Sequence, residues 1–118
     1  MFSFKSFFRS FKYAFRGLIY ALRQQNFRFQ CFVALIIIFL MLYFPLSILE
    51  RIALLILIVM VLVLEILNTV FEKLADVLRP RINPVVETVK DLMAAAVLIS
   101  ALASVIIGVL IFYPYILY

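Results

Sequence analysis

The chain has 118 residues, of which 69% are hydrophobic and only 14% are charged. A soluble domain of this length needs a much larger charged surface, so the composition indicates a protein whose core is shared with lipid. The net charge of +5 would suit nucleic acid, but the apolar content argues against that partner, and the absence of His excludes His bases and His-ligated metals.

The Lys and Arg residues are concentrated in two blocks. Ten of the eleven lie in Lys5–Arg28 and Lys73–Lys90, whereas Arg51 lies beside Glu50 in a short turn between apolar segments. Because cytoplasmic segments of membrane proteins carry the excess of positive charge, both blocks are predicted to face the cytoplasm. The N-terminus is therefore expected inside and the C-terminus outside.

The first segment, residues 2–27, is predicted to be an amphipathic helix. On a helix its cations share an arc of roughly 60°, and its large apolar residues lie almost opposite. The cations are Lys5, Arg9, Lys12, Arg16 and Arg23, and the apolar residues are Phe4, Phe8, Phe11, Phe15, Leu18 and Leu22. Such a pattern is typical of a helix lying in the membrane interface. Residues 1–28 are thus assigned to an interfacial unit, and a simple anchoring role stays open for it.

Three apolar segments that could cross a membrane follow. The first, residues 29–46, would span about 27 Å as a helix. The second begins near Leu49 and keeps a helical pattern through Asp76, after which the prolines of RPRINP mark a cytoplasmic loop. The third runs from about Thr88 to Phe112, and the tyrosines and proline of residues 113–118 are expected at the far interface. The predicted class is an all-α membrane protein, with residues 29–118 as its transmembrane domain.

A stripe of polar residues runs along the second span. Glu65, Asn68, Glu72 and Asp76 would lie within about 80° of arc and extend over about 16 Å of a helix. The uncharged residues 52–64 reach only about 20 Å into a hydrocarbon layer near 30 Å thick, so Glu65 is predicted to lie below the cytoplasmic surface. An ionisable group at that depth is expensive and is a functional candidate.

Lys90 and Asp91 begin the third span at roughly the level where the second ends, so antiparallel pairing is expected to bring them against the stripe. Crowded carboxylates repel one another unless a cation joins them. Glu72, with Glu65 as a second candidate, could hold Mg²⁺, which prefers oxygen ligands and is often bound through substrate phosphates. Such an interface suits a reaction between ATP and a membrane lipid.

Two other interpretations of the polar residues stay open. Buried polar groups can hold helices in register, and Asp76 paired with Lys90 or Arg79 would serve that purpose. Alternatively, the stripe could line the ion path of a small transporter or channel subunit. An ion path should continue across the bilayer, whereas the rest of the spans offers only the weakly polar Ser100 and Ser104.

The polar residues form a motif that resembles the small bacterial diacylglycerol kinase family, which includes the undecaprenol kinases. The motif reads E-x-x-N-T-x-x-E-x-x-x-D over residues 65–76, followed by K-D at 90–91. The resemblance also covers residues 11–13, 16–18 and 26–28, and so nearly the whole chain. It implies a homotrimer in the bacterial inner membrane, with active sites between protomers at the cytoplasmic interface, and it implies ATP and Mg²⁺.

The resemblance implies roles for the residues nearest the lipid and the metal. Glu65 stands at the position of the general base, Asn68 at a polar position beside it, and Glu72 at a metal-binding carboxylate. One departure concerns Gln24, where the family commonly has a metal-binding Glu. An amide oxygen can ligate Mg²⁺ but adds no negative charge, so weaker metal affinity is expected. The departure leaves open an inactive regulatory relative or a preference for another lipid.

The resemblance also implies residues that bind the nucleotide. Lys90 matches the residue that contacts the ATP phosphates, as Glu72 does through the metal, and Asp76 and Asp91 match positions that orient this lysine and the nucleotide. Arg9 or Lys12 matches, more loosely, an N-terminal cation at the phosphates.

The activity that the resemblance implies is transfer of the γ-phosphoryl group of ATP to the hydroxyl of a membrane lipid. Diacylglycerol, which would give phosphatidic acid, is preferred because of the breadth of the family. Undecaprenol, which would give undecaprenyl phosphate, is the alternative acceptor, since no residue discriminates between these alcohols.

Overall fold

The computed structural model describes residues 3–78 and 83–117, and the regular structure in these ranges is entirely helical. Its four helices are α1 (Phe4–Leu22), α2 (Gln25–Tyr43), α3 (Ile48–Leu78) and α4 (Asn83–Leu117). The last three are long and apolar enough to cross a membrane. The predicted all-α class with three candidate spans is confirmed, whereas the division into residues 1–28 and 29–118 stays a prediction.

A break separates α1 from α2, so the first helix does not continue to Phe27 as predicted. It ends at Leu22 because Gln24 has an extended backbone, with φ −82° and ψ 129°, and serves as the N-cap of α2. The second helix therefore begins at Gln25 rather than at Phe29. No proline or glycine marks the break, so the sequence gave no sign of it.

A capped turn joins α2 to α3. The Ser47 hydroxyl accepts a hydrogen bond from the Glu50 N–H at 3.2 Å, and Glu50 Oε1 accepts one from the Ser47 N–H at 2.9 Å. This reciprocal pair is a capping box, which satisfies two of the free N–H groups where α3 begins at Ile48. Arg51 Nε donates to the Leu46 carbonyl at 3.3 Å and fixes the turn further.

The hydrophobic core lies beside this turn. Its buried members come from all three spans and the turn itself: Met41, Leu46, Leu54 and Phe112. The Tyr115 hydroxyl donates a hydrogen bond of 2.6 Å to Glu50 Oε1, which links the last turn of α4 to the first turn of α3. The two helices are therefore antiparallel and tied together at this end, called here the capped end.

The fourth helix extends past the residue where it was expected to end. Pro114 lies inside α4, which continues to Leu117 instead of stopping at Phe112. A proline removes one backbone hydrogen bond, but so close to the terminus the rest of the helix keeps its bonds. The Tyr115 hydrogen bond to α3 also holds this last turn in place. Tyr118, expected at the far interface, lies outside the described residues.

The opposite end of the bundle is called here the basic end. The end of α3, the start of α4 and the break between α1 and α2 lie there, with four small or apolar residues buried: Ala21, Phe27, Ala75 and Val86. Residues 79–82 of the predicted loop lie outside the described residues. Pro84 falls in the first turn of α4, where its missing N–H costs no helical hydrogen bond.

An apolar groove of about 790 Å³ runs between α2, α3 and α4. Representative lining residues are Val33 of α2, Ile58 of α3, and Val105 and Gly108 of α4. A Cβ atom added at Gly108 would meet no atom within 4 Å. The three spans therefore do not close on one another along their whole length.

Candidate active site

The predicted polar stripe lies on the half of α3 nearer the basic end. We call Glu65, Asn68, Glu72 and Asp76 the polar ladder. Glu65 is only 4% exposed, Asn68 is half-buried, and Glu72 and Asp76 are exposed. Packing within the chain thus covers the ladder at Glu65 and leaves its end at Glu72 and Asp76 open.

Glu65 is the most buried charged side chain among the described residues. Its backbone carbonyl accepts a hydrogen bond from Thr69 Oγ1 at 3.1 Å, but its carboxylate accepts none from any described residue. No fully enclosed side-chain oxygen in the described ranges lacks a partner, so the Glu65 oxygens must reach a surface of the chain. A carboxylate with open lone pairs can accept a proton from a hydroxyl group that approaches along that surface.

One hydrogen bond organises the middle of the polar ladder. Asn68 Nδ2 donates to Glu72 Oε1 at 3.1 Å, across one helical turn. This bond holds the Glu72 carboxylate beside α3, where its charge interacts with that of Glu65. The second carboxylate oxygen of Glu72 has no protein partner in the described ranges.

The residues of one chain do not form a complete metal cage. No group of three His, Cys, Asp or Glu side chains able to hold a metal ion occurs within residues 3–78 and 83–117. However, Mg²⁺ commonly uses one or two carboxylates and completes its octahedron with water and substrate phosphates. The oxygen of Glu72, beside the Asn68 amide, fits a cation that arrives with a nucleotide.

Gln24, the second predicted metal ligand, is half-buried at the basic end. It is the N-cap of α2 but makes no side-chain capping hydrogen bond. No hydrogen bond joins Gln24 to Glu72 in the part of the chain that the structure describes. Gln24 lies at the same end of the bundle as Glu72, as binding of one metal ion by both residues would require. Its role at a metal stays a prediction.

Lys90 and Asp91 lie in the early part of α4, at the basic end. Lys90 is half-buried and Asp91 is exposed. The antiparallel hairpin brings them to the same end as Glu72 and Asp76, but no ion pair joins Lys90 to either carboxylate among the described residues. Arg79, the other proposed partner of Asp76, lies outside the described residues.

Arg9 and Lys12 are exposed on α1, which has Ala21 as its buried residue. They form no hydrogen bond or ion pair with the other described residues. Within a single chain, therefore, the structure does not bring these cations to the polar ladder, and their contact with a nucleotide stays a prediction.

A contact that the sequence did not reveal joins α1 to α3. Lys73 Nζ lies 5.4 Å from the centroid of the Tyr20 ring, within the range of a cation–π interaction. The Lys73 ammonium interacts most strongly with the Tyr20 hydroxyl and, less strongly, with the charges of Asp76 and Glu72. The only available signal was the position of Lys73 directly after Glu72, because Tyr20 resembles the other aromatic residues of its helix.

Comparison with known proteins identifies the family. The family described as prokaryotic diacylglycerol kinase matches residues 12–112. The chain belongs to this family. An undecaprenol kinase from Bacillus subtilis is 37% identical over 109 residues, which cover 92% of this chain and 89% of that protein. A diacylglycerol kinase from Synechocystis sp. is 36% identical over 104 residues, which cover 84% of this chain but 58% of that protein.

Membership of the prokaryotic diacylglycerol kinase family confirms the resemblance that rests on the polar ladder. The matched residues include the ladder, Lys90, Asp91 and Gln24, whereas Arg9 precedes them and Lys12 is the first of them. The roles of the individual residues, the metal and the nucleotide are not tested by these comparisons and are argued below as proposals.

Proposed function

We propose that this protein is a lipid kinase that transfers the γ-phosphoryl group of ATP to the hydroxyl of a membrane lipid. The observation that carries the proposal is the buried Glu65 carboxylate, whose oxygens remain open, on the same helix face as the exposed Glu72. In a chain of the prokaryotic diacylglycerol kinase family, this arrangement gives a proton acceptor at lipid depth and a phosphate site at the water surface.

The proposed step is direct in-line transfer. The lipid hydroxyl attacks the γ-phosphorus while Glu65 accepts its proton, and the bond from the γ-phosphorus to the bridging oxygen breaks to release ADP. The base must lie below the membrane surface, because the hydroxyl of a lipid stays at the edge of the apolar layer. Most of the remaining rate enhancement in phosphoryl transfer comes from positioning and charge stabilisation.

The polar groups at the basic end are proposed to hold the nucleotide. Lys90 contacts the phosphates, Asp76 and Asp91 orient it, and Arg9 or Lys12 contributes a further cation from α1. Mg²⁺, bound by Glu72 and more weakly by Gln24 together with the phosphates, would supply positive charge that offsets the charge of the triphosphate. The proposed site therefore has a lipid-binding region at Glu65 and a nucleotide-binding region at Glu72.

The location proposed for the site is the cytoplasmic interface of a bacterial inner membrane. The apolar residues of α1 are exposed, with Phe4 at 73% and Phe8 at 66%, and they need a hydrocarbon layer to cover them. The cations opposite suit anionic headgroups. A homotrimer is proposed because most of the apolar surface of the spans is exposed and because Arg9 and Lys12 lack partners in the described part of their own chain.

Two acceptor alcohols are proposed. Diacylglycerol is favoured by the family as a whole and by the similarity to the Synechocystis protein. Undecaprenol is favoured by a specific observation, since the B. subtilis undecaprenol kinase aligns along nine-tenths of both chains. The comparisons give undecaprenol the stronger support, because the alignment with the diacylglycerol kinase leaves much of that protein unmatched.

The test is phosphorylation of each alcohol by purified protein in proteoliposomes supplied with γ-labelled ATP and Mg²⁺. We expect label in lipid phosphate with at least one alcohol, and a higher kcat/KM for undecaprenol. The same vesicles, loaded with an ion-sensitive dye, report any ion flux. Flux without lipid labelling would support a transporter instead, and neither signal would support an inactive regulatory relative.

A further inference from the structure

Lys73 carries a positive charge at the edge of the polar ladder. It follows Glu72 directly, and on a helix it lies about 60° around the axis from Asp76. Between Glu65 and Leu78, α3 carries three carboxylates and this single cation. A triphosphate that approaches Glu72 and Asp76 would therefore meet Lys73 as the nearest cation of the same helix.

The Tyr20 ring restricts where the Lys73 ammonium can lie. A lysine on an exposed helix end normally moves through many rotamers, but here Nζ lies 5.4 Å from the ring centroid. The Tyr20 side chain is 40% exposed, but the backbone next to it is fixed, because the adjacent Ala21 is buried at 4% exposure where α1 meets the bundle. The contact therefore joins the fixed end of α1 to the flank of the polar ladder.

We propose that Lys73 binds the phosphates of the nucleotide and that Tyr20 is a positioning residue that holds the Lys73 ammonium at the edge of the polar ladder. This inference rests on the proposed lipid kinase function. In this arrangement Lys73 on α3 and Lys90 on α4 supply two cations from different helices to one phosphate site. The end of α1 then lines one side of that site.

A purely structural role for Lys73 makes a different prediction. The contact of Lys73 with Tyr20 could serve only to hold α1 against α3, with no part in nucleotide binding. On that account a change at Tyr20 would not affect nucleotide affinity, and loss of the Lys73 charge would change stability alone. Nucleotide affinity therefore separates the two roles.

The experiment measures binding of ATP with Mg²⁺ to the full-length protein in nanodiscs that contain neither acceptor alcohol. Matched variants dissect the contact: Tyr20→Leu removes the ring and the hydroxyl, whereas Tyr20→Phe removes the hydroxyl alone. Lys73→Gln removes the charge and Lys73→Arg keeps it. We expect Tyr20→Leu to raise the Kd about two- to fivefold, the factor appropriate to an exposed cation–π contact. Lys73→Gln should raise it about three- to tenfold, Lys73→Arg should stay within about twofold, and Tyr20→Phe should give a smaller rise than Tyr20→Leu.

The double variant and the kinetics sharpen the test. Because Tyr20 acts through Lys73, Tyr20→Leu combined with Lys73→Gln should bind ATP no more weakly than Lys73→Gln alone. In the lipid kinase assay the KM for ATP should rise while kcat changes by less than about twofold. Thermal melts of each variant check that the fold is retained. If Tyr20→Leu unfolds, the smaller rise in Kd expected for Tyr20→Phe tests the contact instead.

The outcomes distinguish this inference from the proposed function. An unchanged Kd for both Tyr20→Leu and Lys73→Gln overturns the inference even where lipid labelling is normal. Additive effects in the double variant also overturn it, because they show that Tyr20 does not act through Lys73. A wild-type protein that binds ATP but labels neither lipid contradicts the proposed function, and the binding comparison still decides whether Lys73 contacts the phosphates.

Discussion

Glu65 is a carboxylate within an apolar helix, and at 4% exposure it has lost most of the water that would normally stabilise its charge. Its oxygens accept no hydrogen bond from the described residues that would offset this loss. A carboxylate that accepts a proton from the substrate must keep its oxygens open, which accounts for this unfavourable loss of hydration. The physical argument for catalysis is therefore strongest at this residue.

The first prediction concerns this carboxylate. Glu65→Gln keeps the size and polarity of the side chain but removes the proton acceptor, so lipid phosphorylation should fall by at least about a hundredfold. ATP binding, measured on the same preparation, should stay within about twofold of wild type. Asn68→Asp is a useful comparison, because it keeps an oxygen beside Glu72 but removes the donor to that carboxylate. Turnover of Glu65→Gln near the wild-type rate would remove Glu65 from the mechanism.

The second prediction concerns the departure at Gln24. Gln24→Glu adds a negative charge at the basic end, so half-maximal activity should be reached at a Mg²⁺ concentration about three- to tenfold lower. Gln25→Glu is the matched control, since it adds the same charge one residue further along at an exposed position. The measurement is a Mg²⁺ titration at fixed ATP. Identical titrations for the wild type and Gln24→Glu would show that this residue does not contribute to the metal site.

The capped end of α3 and α4 is held by a contact between elements far apart in sequence. The Tyr115 hydroxyl donates to Glu50, which also closes the capping box with Ser47. The residues of this network lie at the far end of the bundle from the polar ladder. Its contribution should therefore appear in stability and not in the phosphoryl transfer step.

The third prediction tests this contact. Tyr115→Phe removes the donor to a carboxylate, so the free energy of unfolding should fall below that of the wild type. Tyr113→Phe is the matched control, because Tyr113 is exposed and has no hydrogen bond among the described residues. Reversible unfolding in mixed micelles measures both. Equal stability of the two variants would show that the Tyr115 bond contributes nothing, and kcat at 25 °C should be the same for both.

How far the elements could be predicted depends on what ends each helix. The spans follow from apolar length alone, and S-x-x-E at residues 47–50 was a readable start signal for α3. The end of α1 was not readable, because it depends on the torsion angles of Gln24 and on burial of Ala21 against the bundle. The end of α4 was also predicted too early, because a long-range hydrogen bond from Tyr115 holds the helix beyond Pro114.

The same distinction applies to the candidate site. Helical spacing is enough to place the polar ladder on one face, because only the repeat of the α-helix matters. The burial of Glu65 depends instead on the packing of α3 against the other helices. The Asn68 bond to Glu72 and the contact of Tyr20 with Lys73 likewise depend on rotamers and on packing between helices. Neither is encoded in a local pattern.

The fourth prediction concerns the orientation of the whole molecule. In a Cys31→Ala background, a cysteine at Ser10 should react with a membrane-impermeant maleimide only from the cytoplasmic side. A cysteine at Leu117, at the other end of α4, should react only from the outside. Intact spheroplasts and inverted vesicles give the two sides. Labelling of both positions from the same side would contradict an odd number of membrane crossings.

The open groove between the three spans makes the stability of this protein depend on its surroundings. A space of about 790 Å³ lined by apolar side chains is costly to leave empty, and water cannot fill it favourably. Hydrocarbon or a helix from outside the chain must therefore complete the packing. A melting temperature measured in detergent would consequently describe the polypeptide together with its amphiphile, and it should shift when only the alkyl chain of the detergent is changed.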